Sequence, residues 1–319
     1  MTGWILYKNS EDLVKQESYE IERFTESASK YHLDIRVLSP EQIDIIVFRK
    51  DKQSILVDDM ETPLPDFVLP RMGAKTTYFA FAVIRHLERA GVVTINNSNS
   101  IDIVKDKLYS LQILSELGFP IPKTILLKLP VDSSIVERHL KFPVIVKTLS
   151  GTQGNGVFLS NDKNTFNDLM QLIHTLNKSS SIILQEFIEE SHGIDLRVLV
   201  VGGRVISAMK RIACDGNFKA NYSIGGRVES YQITPEIEKL ALDIMKIFNL
   251  DVAGIDLLFG RHGFRICEIN SSPGFEGMEK CCGIDVANEI LGFIAEKMKT
   301  NGKEMPVNYR YRVPGFWIS

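Results

Sequence analysis

The sequence predicts an α/β fold in which a βαβ-type N-terminal domain is followed by two further mixed units. Three observations carry this reading. Short apolar runs alternate with helical patterns through the first 95 residues or so. A glycine-rich segment is framed by two strand-like runs, and two hairpin signals lie in the C-terminal third, one of them at paired glycines.

In the first unit, residues 1–95, WILY (4–7), IRVL (35–38), DIIVF (44–48) and FVLP (67–70) read as strands. Residues 17–31 and 76–90 read as helices, the second stopped by Gly91 at a good C-cap position. VVTIN (92–96) is a further strand, and the sheet is expected to be mostly parallel. The second unit, 96–184, opens with a helix over 101–117 that stops at Gly118. TILLK (124–128), PVIVK (143–147) and VFLS (157–160) follow as strands, then a helix near 165–177. In the third unit, 185–300, LRVLVVGGRVISAMKR (196–211) reads as two strands joined at Gly202-Gly203. A helix over 235–248, a second hairpin built from GIDLLF and FRICEIN around GRHG, and a helix over about 285–299 complete it. The tail, 301–319, is basic and aromatic in places and is expected to pack on the body.

Composition narrows the class. The chain has 319 residues, 44% hydrophobic and 24% charged, enough for more than one core. A formal net charge of -3 with dispersed lysines and arginines argues against nucleic acid as a partner. The first residues lack the apolar core and cleavage site of a signal peptide, and no apolar run approaches the roughly 20 residues that span a bilayer. A cytoplasmic protein with no membrane partner is expected. The four cysteines, with no CxxC spacing, read as reduced thiols rather than a zinc site or disulfide framework.

Chemistry concentrates first in PVIVKTLSGTQGNGV, residues 143–157. Lys147 ends an apolar strand just before Gly151, Gly154 and Gly156. The spacing is neither GxGxxG nor GxxxxGK[ST], and the glycines lie between two strands. A β–loop–β flap is expected, whose backbone N–H groups approach phosphates and whose lysine adds a point charge. The competing reading is a flexible hairpin with an incidental lysine.

The second concentration is the hairpin 254–270. Glu268 and Asn270 are two apart and share a strand face. A three-residue loop, Arg261-His262-Gly263, sets Asp256 opposite Glu268, Leu257 opposite Cys267 and Ile255 opposite Ile269. Facing carboxylates repel, and a cation between them removes the repulsion; hard oxygen ligands suit Mg²⁺. The alternative is a solvated acidic face. Two weaker signals remain. QEFIEE (185–190) could offer backbone groups and carboxylates to a nucleoside or be a core strand ending in a charged turn. Asp195 and Arg197 share a face, with Arg211 ending the partner strand, suited to a phosphate or to a plain ion pair.

With these residues in view, the chain from about 67 to 296 resembles the RimK-type ATP-grasp ligases, which include glutamate ligases. The segments that carry the resemblance include VLPRMGAKTTYFAFAVIRHLERAG, KDKLYSLQIL, VIVKTLSGTQGNGV, DLRVLVVGGRVISAMKR, GNFKANYSIGG and EINSSPGFEGMEKCCGIDVA, in one order. The resemblance implies an ATP-grasp fold preceded by a pre-ATP-grasp βαβ domain, with ATP and Mg²⁺ (Mn²⁺ as an alternative ion) as cofactors. It assigns Lys107 and Lys147, with Gly154 and Gly156, to the phosphates. Glu186, Phe187 and Ile188 become the adenine hinge, and Glu189 or Asp195 the ribose side. Lys219 and Asn221 contact nucleotide, Asp256, Glu268 and Asn270 hold the metal, and Arg211 sits near the transferred phosphoryl group. Arg71 and Arg227 are candidates for the substrate carboxylate. Where the bacterial members that modify ribosomal protein carry HRGG, this chain has Ser223-Ile224-Gly225-Gly226. That form is more similar to the branch making N-acetylaspartylglutamate or citrylglutamate.

The reaction so implied joins a carboxylate, glutamate among the candidates, to an amine through an acyl-phosphate, in a homo-oligomer. The acceptor is a small molecule, peptide or protein. Alternatives are a ligase closing amides or esters within a peptide, a phosphotransferase using the same cradle, and a non-catalytic nucleotide-binding module.

Overall fold

The computed structural model describes residues 1–7, 15–47, 55–73, 76–148, 156–176, 181–214, 217–220, 222 and 225–301. Gly154, Asn221, Ser223-Ile224 and the 302–319 tail therefore lie outside the described residues.

The chain opens with β1 (Thr2–Leu6), α1 (Lys15–Ala28) and β2 (Asp34–Leu38). Next come β3 (Ile43–Ile45), β4 (Ile55–Val57), β5 (Met60–Glu61), β6 (Phe67–Pro70), α2 (Tyr78–Arg89) and β7 (Val93–Thr94). The parallel sheet runs β2-β1-β6-β7, as expected. The run at 44–48 departs from expectation: β3 pairs antiparallel with β4 in a separate β3-β4-β5 sheet. Only the short turn Pro40–Gln42 separates β2 from β3. A parallel neighbour needs a crossover of about a dozen residues or more.

The expected helix over 101–117 is two helices, α3 (Ser98–Lys105) and α4 (Lys107–Glu116). Asp106 is extended between them, and its carboxylate accepts from the N–H groups of Leu108 and Tyr109, both at 3.0 Å. An aspartate that caps a helix start competes with continuing the preceding one. The break makes Lys107 the first residue of α4.

A second, antiparallel sheet orders β10-β9-β11-β8. It is built from β8 (Thr124–Lys128), β9 (Val144–Thr148), β10 (Val157–Ser160) and β11 (Ser181–Glu186), with α5 (Ser134–His139) and α6 (Lys163–Leu176) between strands. The third sheet orders β14-β13-β12-β15-β16. Its strands are β12 (Ile194–Val201), β13 (Arg204–Ile212), β14 (Arg227–Ser230), β15 (Val252–Gly260) and β16 (Gly263–Asn270). α7 (Pro235–Phe248) precedes β15, and α8 (Glu276–Cys282) and α9 (Val286–Asn301) close the chain's described part. The Gly202-Gly203 turn has φ of 56° and 73°, positive at both positions as a two-residue hairpin turn requires.

β12 explains how the units dock. Leu196, Val198 and Val200 face a core shared with α7, α3 and α4, containing Ile237, Phe248 and Leu114. Leu199 and Val201 point the other way, into a core with Ile290 and Leu291 of α9 and with Ile5, Phe24 and Phe67 of the N-terminal domain. A strand buried on both faces reads as a continuous apolar run, as LRVLVV nearly does. Asn96 adds a polar bolt at this junction. Its amide nitrogen donates to Val252 O and Ser271 O at 2.8 and 2.9 Å, and its oxygen accepts from Asp251 N and Val252 N at 2.6 and 2.9 Å. The residue is 1% exposed. Replacing it with alanine strands buried backbone groups, each costing about 1–3 kcal/mol. Asn96→Ala is expected to lower the urea midpoint by more than any exposed alanine substitution; an unchanged midpoint would contradict this role.

Candidate active site

A cleft of about 370 Å³ opens between the β10-β9-β11-β8 sheet and the five-stranded sheet, with the N-terminal domain at one end. Lys147 reaches into it from β9, and Lys107 from the start of α4. Its floor is the hairpin of β15 and β16. Asp256 pairs with Glu268 and Ile255 with Ile269, as the spacing predicted. The turn is tighter than expected: Gly260 pairs with Gly263, leaving a two-residue loop, Arg261-His262. A register shift between Asp256 and Leu257 sets Leu257 opposite Ile266, not Cys267. Cys267 is thus the extra residue of a β-bulge, and the bulge offsets the shorter loop so that the two carboxylates still face each other. It also brings Cys267 to the cleft wall, where Lys147 Nζ lies 3.8 Å from its Sγ. Burial raises the pKa of this thiol, opposed by the Lys147 charge.

Asp256 belongs to an ion-pair network that the strand register builds. Directly opposed pairs across β13, β12 and β15 are Arg211 with Asp195 and Arg197 with Asp256. Arg197 grips Asp256 with Nε and Nη2, both at 2.7 Å. Arg211 grips Asp195 in the same way at 2.5 and 2.7 Å, and its Nη2 also donates to Asp256 at 2.8 Å. Burial pushes the Asp256 carboxyl up, but the two guanidinium groups outweigh it and hold the group well below the usual carboxylate range. Burial prevails at Asp195, which is raised despite Arg211. Arg211 stays charged: burial opposes this, and Asp256 and Asp195 overcome it.

The repulsion expected between Asp256 and Glu268 is therefore already relieved by the protein. Arg197 and Arg211 neutralise the first, and Lys107 Nζ stands 3.5 Å from Glu268 Oε1. What remains in favour of a cation is donor chemistry. Asp256 and Glu268 supply carboxylate oxygens, and Asn270 an amide oxygen that already accepts from Ser272 N at 2.9 Å. Glu268 is held loosely, with its side chain 36% exposed. Among the described residues no group of three or more His, Cys, Asp or Glu is positioned to hold a metal. Two carboxylates and an amide nonetheless suit Mg²⁺, which keeps waters and shares substrate phosphates rather than filling an all-protein cage.

Arg71, Lys107, Lys147, Glu186, Phe187, Ile188, Asp195, Arg211, Lys219, Asp256, Glu268 and Asn270 all line this one cleft. Apolar groups in the cleft lining, Ile145, Val157, Phe187 and Leu258, offer a surface suited to a flat heterocycle. Burial lowers the pKa of Lys219, whose Nζ lies 5.5 Å from the Phe218 ring and 5.8 Å from Phe158. Several expected residues fall elsewhere or are differently engaged. Glu189 is exposed, lies 3.9 Å from Arg261 and is outside the cleft lining. Asp195 is in the cleft but committed to Arg211. Glu186 accepts from Lys123 N at 2.9 Å through one carboxylate oxygen, and its own N–H donates to Lys123 O at 2.9 Å. Arg227 is exposed, pairs with Glu229 at 3.1 Å, and is outside the cleft lining. Gly156, with φ of 76°, ends the flap without joining the lining.

Arg71 is buried at the N-terminal-domain end of the cleft, donating to Glu20 Oε2 at 2.6 Å and to Pro273 O at 2.8 Å between the rings of Phe24 and Phe275. Glu20 also lines the cleft and was not foreseen, since nothing in the sequence links a residue of α1 to one 51 positions later. Arg197 was foreseen only as sharing a face with Asp195; register alone reveals its grip on Asp256.

A lysine-bearing β–loop–β element opposite an acidic hairpin, both facing one cleft between antiparallel sheets, defines an ATP-grasp ligase. Comparison agrees at two levels. A RimK-like ATP-grasp domain model matches residues 104–294 and a RimK pre-ATP-grasp model residues 13–101, so the chain belongs to the RimK-like ATP-grasp family. A protein of Legionella pneumophila (strain Corby) named "Probable alpha-L-glutamate ligase" is 39% identical over 256 residues, 79% of this chain and 82% of that protein. One of the same name from Maridesulfovibrio salexigens is 36% identical over 295 residues, 91% and 97% of the two chains. Among solved structures, the ATP-grasp ligase PsnB complexed with a phosphomimetic variant of its minimal precursor, Mg and ADP superimposes with TM-score 0.68 at 19% identity. That match covers 93% of this chain and 98% of PsnB. D-alanine–D-alanine ligase of Bacillus anthracis complexed with ATP gives 0.64 at 19%, covering 94% and 97%. At such identities these two share the fold. No helix among the described residues is long and apolar enough to cross a membrane.

Proposed function

We propose that this ATP-grasp ligase joins the carboxylate of one substrate to the amine of another in a reaction driven by ATP and dependent on Mg²⁺, with glutamate as one of the two. The observation that supports it most is the convergence of Lys107, Lys147, Asp256, Glu268 and Asn270 on one cleft. Relatives named as glutamate ligases, at 36–39% identity, favour glutamate over other amino acids.

Ile145, Val157 and Phe187 would take the base of ATP, and Lys147 and Lys107 its phosphates. Asp256, Glu268 and Asn270 would hold Mg²⁺, which would supply charge neutralisation at the phosphates. Lys107 leaves its loose contact with Glu268 for a phosphate. Arg211, held by Asp195, presents its guanidinium edge to the phosphoryl group as a substrate carboxylate takes it, giving an acyl-phosphate and ADP. Arg71, fixed by Glu20 and Pro273 O, stands at the N-terminal-domain end as the cationic group for a substrate carboxylate. The amine then attacks the acyl carbon and phosphate leaves. No nucleophilic side chain is required, because phosphorylation activates the carboxylate.

The deciding experiment incubates the protein with Mg²⁺-ATP, glutamate and pools of carboxylates or peptides, and reads phosphate release with mass analysis of products. One amide formed per phosphate released is expected. Phosphorylated product without an amide would mean a phosphotransferase.

A further inference from the structure

Outside the active site, two cysteine thiols among the described residues stand in contact. Cys281 and Cys282 close α8, and their sulfur atoms lie 3.3 Å apart. Both are half-buried and pack against the core formed with α9 and the N-terminal domain. The Cys281 thiol points toward Met278 O at 3.8 Å and that of Cys282 toward Ala208 O at 3.7 Å. Both contacts are long and weak, so a competing ligand displaces little.

We propose that Cys281 and Cys282 form a dithiol site that captures trivalent arsenic compounds. In the step, each S–H proton leaves with one arsenic-bound hydroxyl as water. Two As–OH bonds break, two As–S bonds form, and arsenic stays trivalent, so no oxidant or reductant is consumed.

Other thiol chemistry fits the pair less well. Adjacent α-carbons lie about 3.8 Å apart across a trans peptide, and disulfides prefer roughly 4.4–6.8 Å. A bond between these two sulfur atoms would be strained, and α8 would have to unwind its last turn. Burial pushes the Cys281 thiol up to about 12, helped by the neighbouring Cys282. Attack on a disulfide or an alkylating agent needs thiolate, which is then scarce at Cys281 near neutral pH. Exchange with an arsenic hydroxyl consumes the protonated thiol and needs two such groups side by side. The location has a consequence. α8 begins with Glu276 and Gly277, which line the active-site cleft, so a group seated at its far end strains a seven-residue helix that touches that cleft.

Phenylarsine oxide added to the full chain is expected to give one adduct per chain by intact mass spectrometry. Peptide mapping of the wild type should place it on Cys281–Cys282. It should survive excess glutathione, reverse with 2,3-dimercaptopropanol, and disappear in Cys281→Ser and in Cys282→Ser while persisting in Cys214→Ser and Cys267→Ser. Hydrogen exchange should quicken in 276–282 when the adduct is present. Mapping of the adduct to Cys214 or Cys267, its removal by glutathione, or its absence from the wild type would overturn the proposal, whether or not the serine variants fold.

Discussion

Replacing Arg211 with methionine is expected to destabilise the protein by about 3–5 kcal/mol, because it leaves two buried carboxylates without their shared cation. Asp195 loses both of its bonds to Arg211, and Asp256 keeps only Arg197. The penalty carries a pH signature. Asp195 is already raised by burial in the intact protein, and removing the nearest positive charge raises it further. A carboxyl raised in the folded state favours folding when protonated, so the deficit is greatest above its folded pKa. It narrows as pH falls through that value toward the ordinary one. Urea midpoints of Arg211→Met and wild type, compared from neutral to mildly acidic pH, should therefore converge on the acid side. A pH-independent gap would mean that lost packing, not the stranded carboxylate, dominates. Activity should be lost at every pH, since the guanidinium is assigned to the phosphoryl group.

Glu268→Gln should behave in the opposite way, with a large effect on catalysis and little on the fold. The Glu268 side chain is 36% exposed and meets Lys107 only at 3.5 Å, so its contribution to stability is that of a surface pair, within about 0.5 kcal/mol. Its oxygen is assigned to the cation that neutralises the phosphates. Losing that charge is expected to cost on the order of 10²–10³ in turnover. Two measurements check it: ATP-dependent phosphate release, and Mn²⁺ affinity by the paramagnetic signal of the free ion. Wild-type affinity together with wild-type turnover would remove Glu268 from the metal site and leave the hairpin's acidic face without a role.

Much of this site was legible before any coordinates. The two-residue spacing of Glu268 and Asn270, the apolar strand ending in Lys147 and the paired glycines at 202–203 are local features. Strand alternation and turn chemistry translate them directly into faces and hairpins. Other features were illegible, some because local signals were ambiguous and some because they depended on distant segments. The break at Asp106 was hidden because the apolar pattern continues through it, and only the capping bonds show that one helix ends and another begins. The bulge at Cys267 was hidden because loop length and bulge cancel, leaving the expected Asp256–Glu268 pairing by a different route. Sequence could not show that Glu189 and Arg227 would pair with Arg261 and Glu229, because an exposed loop or edge residue can turn toward any nearby opposite charge.

By itself the amino-acid order determined most strands and helices, the glycine-framed lysine and the acidic hairpin, because each depends on residues only a few positions apart. The tertiary structure alone decided that Asp256 is clasped by Arg197 and Arg211, that Glu20 holds Arg71, and that Asn96 bolts the N-terminal domain to β15. Those choices follow from which strands lie side by side and which loops are buried together, and burial makes an unpaired charge or amide too costly to leave without a partner.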